Sequence, residues 1–407
     1  MSECELTIVM PCLDESQTLE TCIRKAQDFL ARHEVAGEVV VGDNGSTDGS
    51  VEIARRCGAR VIHVPVRGYG AALYYAIRAA RGRYVIMADS DDSYDLSNLM
   101  PFLERLREGC DLVMGNRFAG GILPGAMPWK NRFIGNPILS GIGRLFFRCP
   151  VRDFHCGIRG FSREAFERMD LRTTGMEFAS EMVIKATLLK MNVVEVPTCL
   201  HPDGRSRRPH LRPWRDGWRH LRFMLLYSPR WLFLYPGLAM MIVGLLLVLW
   251  LYPSPRYVGG IRWDTQTMLY GAIATVLGYQ SVVFALLAKV FAVNEGLLPN
   301  DPKIRKFLDK LPLETGLLAG STLVLAGLAG TVAVLVYWGN LSFGLLDFSF
   351  VIRQVILSML GLILGAQTIL ASFFHSVLQL RLRRIGPGLD LTVEEPAQAE
   401  EAARSAP

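Results

Sequence analysis

Two aspartates one residue apart, Asp89 and Asp91, follow the apolar run Tyr84-Val85-Ile86-Met87-Ala88. The run reads as a buried strand, and the strand period of two points both carboxylates to one side if extension continues past Ala88. Carboxylates about 4 Å apart repel by roughly 4 kcal/mol at an effective dielectric of about 20, so a fold that holds them together calls for a cation. All-oxygen ligands of this kind suit Mg2+ or Mn2+, with water and substrate phosphates completing the shell. The competing reading is a solvated acidic turn capping a helix that starts near Ser97.

The elements that would position these carboxylates alternate along the chain. Strand-like runs at 6–10, 38–41, 60–64 and 84–88 are separated by helical patterns at 16–32, 47–57 and 70–80. Such alternation with short connections predicts an α/β domain with a mostly parallel, doubly wound sheet. Ligands of open sheets in this class bind beyond the carboxyl ends of the strands. Three polar clusters then share one crevice: Pro11-Cys12-Leu13-Asp14-Glu15, Gly42-Asp43-Asn44-Gly45-Ser46-Thr47-Asp48-Gly49, and Asp89-Ser90-Asp91. The glycines let backbone approach a ligand, although each cluster alone is also ordinary turn or N-cap chemistry.

In this order the motifs resemble the GT-A-type, family-two glycosyltransferases, and among them the enzymes that move a sugar from a nucleotide onto a polyprenyl phosphate, such as dolichyl-phosphate mannose synthases. The likeness runs from about Thr7 to Gly237. It implies a GT-A fold and inverting transfer. It also implies that Pro11, Glu15 and Asp43 border the base and ribose, while Asp89 and Asp91 contact the diphosphate through the metal. One departure is Asp43-Asn44, where the family often has two acids. The stretch from Val151 to Phe161 resembles the acceptor-side motif, an Asp followed by a glycine-flanked Arg. Asp153 thereby becomes a catalytic candidate, as a base or as an orienting residue. Gly175 to Glu181 resembles the family's acidic helix start, with Glu181 as its functional candidate. His155 and Cys156 are adjacent but have no further ligand at metal-site spacing.

The basic residues fall into groups. A further strand at 111–115 leads into Asn116-Arg117, and Lys130, Arg132, Arg144 and Arg148 then alternate with Phe133, Ile134, Leu139, Leu145, Phe146 and Phe147. This pattern suits a helix at membrane headgroups, or a surface helix with its apolar side on the sheet. Arg117, Arg132 and Arg159 are the candidates for holding an incoming acceptor phosphate. Gly204-Arg205-Ser206-Arg207-Arg208 suits a loop closing on the phosphates of a nucleotide sugar, with Arg205 and Ser206 as ligands, because guanidinium binds phosphate bidentately.

The chain has 407 residues, 50% of them hydrophobic, and the long uncharged runs lie after Trp231. All eight cysteines (Cys4, Cys12, Cys22, Cys57, Cys110, Cys149, Cys156 and Cys199) precede that point without a C-x-x-C pair, which suits reduced cytoplasmic thiols. Met1-Ser2-Glu3-Cys4-Glu5 lacks a basic signal-peptide region, so the N-terminal domain is expected to stay in the cytosol. The net charge of +6 is no nucleic-acid signature, because arginines concentrate between Arg205 and Arg230, next to a membrane-length run. Trp214, Trp218, Leu221 and Leu225 form one stripe, and Arg212, Arg215, Arg219 and Arg222 a second, which predicts an interfacial helix. Uncharged runs at 231–252, 265–288, 315–346 and 354–374 predict four transmembrane helices, the third ending near Trp338.

Lys303, Arg305, Lys306 and Lys310 in one connection, with Arg381, Arg383 and Arg384 after the last span, outnumber Arg256, Arg262 and Arg353 in the other two. The positive-inside rule therefore puts both termini in the cytoplasm. The expected division is a catalytic domain at 1–204, a basic loop and juxtamembrane helix at 205–230, a membrane domain at 231–380 and a disordered tail at 381–407.

The leading expectation is transfer from a UDP-, GDP- or dTDP-linked sugar to undecaprenyl or dolichyl phosphate at the membrane. A phosphate monoester with a second pKa of about 6 needs no strong base. Self-association through the membrane helices is left open. The alternatives are transfer to a sugar or protein hydroxyl with Asp153 as base, and a non-catalytic membrane scaffold. A processive synthase is disfavoured, because Tyr227-Ser228-Pro229-Arg230-Trp231 lacks the Gln of the Q-x-x-R-W motif.

Overall fold

The computed structural model describes residues 4–205, 213–299, 312–345 and 347–379. Ser206, Arg207, Arg208 and Arg212, the basic residues between Lys303 and Lys310, and the C-terminal tail lie outside them.

The strands are β1 (Leu6–Cys12), β2 (Gly37–Asp43), β3 (Arg60–His63), β4 (Tyr84–Met87), β5 (Leu112–Asn116), β6 (Arg159–Ser162) and β7 (Val193–Pro197). They form one sheet in the order β3-β2-β1-β4-β6-β5-β7. Every pairing is parallel except those of β6, which runs antiparallel to β4 and β5. β1 and β4 are buried along their whole length, because helices cover both faces. On one face lie α1 (Leu19–Arg32), α2 (Ser50–Arg56) and α4 (Met100–Arg107), and on the other α3 (Tyr69–Ala79), α7 (Arg163–Met169) and α8 (Glu177–Leu188). Between them, α5 (Arg117–Gly120) is a single turn, and α6 (Asn136–Phe147) follows a π-helical turn at Asn131–Gly135. In β2, Gly42 is required by close approach, since a Cβ there would sit 2.4 Å from the carbonyl oxygen of Ala72 in α3. α4 starts later than Ser97, because Asp95 accepts from both the amide (3.0 Å) and the hydroxyl (2.6 Å) of Ser97 in a self-contained turn.

The amphipathic helix is α9 (Pro213–Leu226). His220, Phe223 and Met224 form its buried face against the catalytic domain, and Trp218 is exposed. A π-helical turn at Arg230–Leu234 leads into α10 (Tyr235–Leu251), and a hairpin of β8 (Arg256–Val258) and β9 (Ile261–Trp263) follows. The remaining helices are α11 (Thr265–Asn294), α12 (Leu313–Asn340) and α13 (Phe348–Gln379). With Arg230–Leu251, these are four helices long and apolar enough to cross a bilayer, and the chain is a multi-pass membrane protein. Side chains shrink to hydrogen where the helices touch. A Cβ on Gly244 would lie 2.4 Å from the Gly271 oxygen between α10 and α11, and one on Gly365 2.6 Å from the Gly320 oxygen between α13 and α12. α11 and α13 are joined by hydrogen bonds from Tyr279 to Thr368 (2.6 Å) and from Asn294 to the Leu378 oxygen (2.6 Å). Arg353, expected in a loop, lies within α13 instead. It is buried there because it pairs with Asp264, which precedes α11.

Candidate active site

The carboxyl ends of β1, β2 and β4 meet at one crevice, as the register Val9 to Val40 and Val9 to Met87 requires. The loops after β1 and β2 are laced together. Asp14 accepts from the Thr47 amide (2.7 Å), the Glu15 amide donates to the Ser50 hydroxyl (2.9 Å), and the Ser16 amide donates to Asp48 (2.8 Å). Asp43, at the end of β2, is buried and accepts from the Ser46 amide (3.0 Å). Pro11 is held through its carbonyl, which accepts from the Ser90 hydroxyl at 2.7 Å. Asn44 is a loop clamp: its side chain donates to the Val66 oxygen (2.8 Å) and accepts from the Gly68 amide (2.7 Å).

Asp89 and Asp91 lie beyond β4. Burial first, and then the charge of Asp91, push the Asp89 carboxyl up to about 6, against the opposing hydrogen bond from Tyr69. That bond, from the Tyr69 hydroxyl to Asp89 Oδ1, is 2.9 Å long. Sequence reasoning missed Tyr69, and its only signal is the pair of flanking glycines. Gly68 has a φ of 147°, and a Cβ there would lie 2.2 Å from the Thr174 oxygen, while one on Gly70 would lie 2.6 Å from Phe178 Cβ. These glycines let the 173–175 loop close on the start of α3 and leave Tyr69 aimed at Asp89. Asp91 spends one oxygen on its own turn, accepting from the amide (3.1 Å) and hydroxyl (2.5 Å) of Ser93, and turns the other to Arg205 at 2.7 Å. The same guanidinium reaches Glu15 at 3.0 Å and Asp203 at 3.1 Å. Asp14, Glu15, Ser16, Gln17, Asp48 and Arg205 line a cavity of 220 Å³ here.

The donor set fits a hard divalent cation. Burial and the neighbouring Asp91 charge raise the Asp89 carboxyl despite Arg159 and Arg205, and a cation between the two carboxylates would offset that repulsion. Among the described residues no three His, Cys, Asp or Glu side chains are placed to hold one metal ion, so the protein would give two carboxylates and leave the remaining positions to phosphate and water, as Mg2+ sites do.

The acceptor-side candidates separate. Asp153 is fully buried, and both its oxygens are held by Arg117, through Nε and Nη2 at 2.7 Å each. Of the two roles open to Asp153, base or orienting residue, a carboxylate buried in a bidentate ion pair suits the orienting one, because taking a proton would break its pairing with Arg117. Arg159 is also fully buried, donating to the Ala179 oxygen (2.6 Å) and the Cys156 oxygen (2.7 Å). Its register opposite Met87 puts it near Asp89, to which it is a counter-charge. Arg132 is half-buried, with its guanidinium 5.4 Å from the Phe133 ring, among the exposed Trp129, Phe133 and Ile134. Glu181 is a buried clasp, paired with Lys185 at 3.0 Å and accepting from the Thr173 amide at 2.9 Å.

The sequence profile described as Glycosyl transferase family 2 matches residues 7–170. That described as Glycosyltransferase family 2 C-terminal transmembrane region matches residues 286–379. The low-salt glycan biosynthesis hexosyltransferase of Haloferax volcanii is 36% identical over 369 residues, 90% of this chain and 87% of that protein. The chain belongs to glycosyltransferase family 2. A second relative of this family-2 glycosyltransferase is the dolichyl-phosphate hexose transferase of the same organism, 32% identical over 194 residues, 47% of this chain and 81% of that one. Among solved structures, glucosyl-3-phosphoglycerate synthase from Mycobacterium tuberculosis, in complex with Mn2+ and UDP, aligns with a TM-score of 0.41 at 25% identity, over 54% of this chain and 78% of that one. That likeness is too remote to bear on the chemistry of the family-2 enzyme described here.

Proposed function

We infer that this glycosyltransferase moves a sugar from a nucleoside diphosphate sugar to a polyprenyl phosphate, with inversion, at the cytoplasmic face of the membrane. The observation that carries this reading is a paired-carboxylate crevice, Asp89 and Asp91, in the same domain as helices that expose apolar and basic residues. Trp129, Phe133, Ile138 and Leu145 are exposed along the π-turn and α6, interspersed with Lys130, Arg132 and Arg144, and Phe146 stacks on Trp231 of the first span at 5.3 Å. A lipid acceptor arriving in the bilayer plane is the substrate that such a rim suits. The hexosyltransferase and dolichyl-phosphate relatives support the same class.

In this reading Pro11, Glu15 and Asp43 border the nucleoside, and Arg205 exchanges carboxylate partners for the donor's phosphates, with Ser206 beside it in sequence. Mg2+ or Mn2+ held by Asp89 and Asp91 would offset charge on the departing nucleoside diphosphate. Arg117 has Nη1 left for an anion after its Nε and Nη2 bind Asp153, and Arg132 meets the phosphate at the headgroup level. The phosphate monoester is itself the nucleophile, so the engagement of Asp153 is no obstacle. The domain limits proposed are 1–204 for catalysis, 205–230 for the juxtamembrane segment and 231–380 for the membrane helices.

The test is sugar transfer by the purified full chain with a panel of UDP-, GDP- and dTDP-sugars, with Mg2+ or Mn2+, with and without undecaprenyl or dolichyl phosphate. Product that requires the lipid phosphate and disappears in Asp91→Ala is the expected result. Turnover onto a sugar or protein hydroxyl without lipid phosphate would overturn it.

A further inference from the structure

His155 lies on the loop between Asp153 and Arg159, where α6, α8 and α9 converge. Both its ring nitrogens are shielded from solvent, and neither has a hydrogen-bond partner among the described residues. The ring meets His220 of α9 edge-on at 4.6 Å, and His220 Nδ1 is hydrogen bonded to the Ser180 hydroxyl at 2.8 Å. The charged or titratable groups that face it are His220, Arg117 and Arg159. Burial first, and then these neighbours, hold its imidazole well below the usual range. Asp153, the carboxylate of this neighbourhood, is saturated by Arg117. An imidazole with two unmet nitrogens beside two guanidiniums is a poor core residue, but it suits a site that receives an anion.

The location says which anion. Phe154, next to His155, is pinned from α6 by the Ser140 hydroxyl, which accepts from the Phe154 amide at 3.2 Å, and His220 belongs to the helix that leads into the first span. His155 therefore lies between α6, which exposes apolar and basic side chains, and α9, which leads into the first span. We propose that His155 is a ligand of the acceptor's phosphate, donating a ring N–H to it beside Arg117. This rests on the lipid-phosphate reading above.

The test uses the full chain in detergent, with polyprenyl phosphate as variable substrate. His155→Ala raises the KM for the lipid phosphate about tenfold, the loss of one charge-assisted hydrogen bond, while the donor KM stays within about twofold. His155→Gln, which keeps an N–H donor, recovers most of the affinity, and a purely structural role would not follow that order. In ring-labelled histidine NMR of the wild type, a short-chain prenyl phosphate shifts the His155 nitrogens, whereas phosphatidylglycerol vesicles do not. An unchanged acceptor KM in both variants, or an equal NMR response to inorganic phosphate or to the vesicles, overturns the proposal alone. Wild-type turnover that ignores lipid phosphate overturns the acceptor reading and this one with it.

Discussion

At the scale of single residues, the site balances charges that a sequence can name but cannot pair. Asp89 is unstable as an anion in the metal-free protein, with its carboxyl pushed up to about 6 by burial and Asp91. A carboxyl whose folded pKa is raised contributes stability below its unfolded pKa and loses it as pH rises through the folded value. Asp89→Asn is therefore expected to stabilise the metal-free protein by on the order of 1–3 kcal/mol above about pH 6 and by little at pH 4, while abolishing transfer. Thermal midpoints of both proteins against pH, with chelator present, check this, and a constant offset would contradict it. Asp153 behaves oppositely. Its loss strands the Arg117 charge in a dry site, so Asp153→Ala is expected to destabilise the fold by about 3–5 kcal/mol, read as a fall in the thermal midpoint. A base would instead lose kcat at unchanged stability. The D-x-D pair was legible because two acids at the end of an apolar run have few structural excuses. Asp153 was legible as a motif, but its role was not, since the sequence does not say which carboxylate is bound in a buried ion pair. Tyr69 was missed because its one signal, the flanking Gly68 and Gly70, reads equally as a helix start.

At the scale of elements, the apolar runs gave every strand from β1 to β4 within two residues at each end, most plainly in β1 and β4, which are buried throughout, and least so in β3, which is only partly buried. The antiparallel β6 was not legible, as its four residues, Arg159–Ser162, include a charge and a glycine whose contacts are all tertiary. In the membrane half, spans were readable from length alone, but the way they pack was not. The glycines of α10 and α11 carry that information: the Gly244 site has Gly271 and Thr275 within 2.7 Å of a built Cβ. Gly244→Ala is expected to force the two helices apart at a cost of about 1–3 kcal/mol or more. Gly339→Ala, whose Cβ would have nothing nearer than 3.8 Å, is expected to be silent. The fraction of each variant that stays monodisperse after heating in detergent separates them, and equal losses would argue against close packing at Gly244.

At the scale of the whole molecule, the catalytic and membrane halves are joined at one end of the helices. Arg172 donates to the Glu295 oxygen after α11 at 2.9 Å, and Tyr227, just past α9, donates to Glu181 at 3.3 Å. Thr173 hangs from the same Glu181, and its neighbour Thr174 accepts from the Ala71 amide at 3.0 Å, in the turn after Tyr69. The positions of α9 and α11 are thus tied through four contacts to the start of α3, where Tyr69 holds Asp89. This arrangement links the side of the membrane on which the hairpin emerges to that of the catalytic half. If the catalytic half is cytoplasmic, the β8–β9 hairpin at the far end of α10 must emerge on the opposite face, because a buried hairpin in lipid would leave backbone groups unmet. Tyr257 is 70% exposed at that hairpin. In sealed, right-side-out membrane vesicles, Tyr257→Cys is expected to react with an impermeant maleimide. The wild type, whose half-buried Cys4, Cys57 and Cys199 lie in the catalytic half, is expected to react only after the vesicles are opened. Wild-type labelling of intact vesicles would put the catalytic half outside. A Tyr257→Cys thiol that is silent until lysis, on a fully folded protein, would mean that the first span does not cross, and the four-span topology would fail with it.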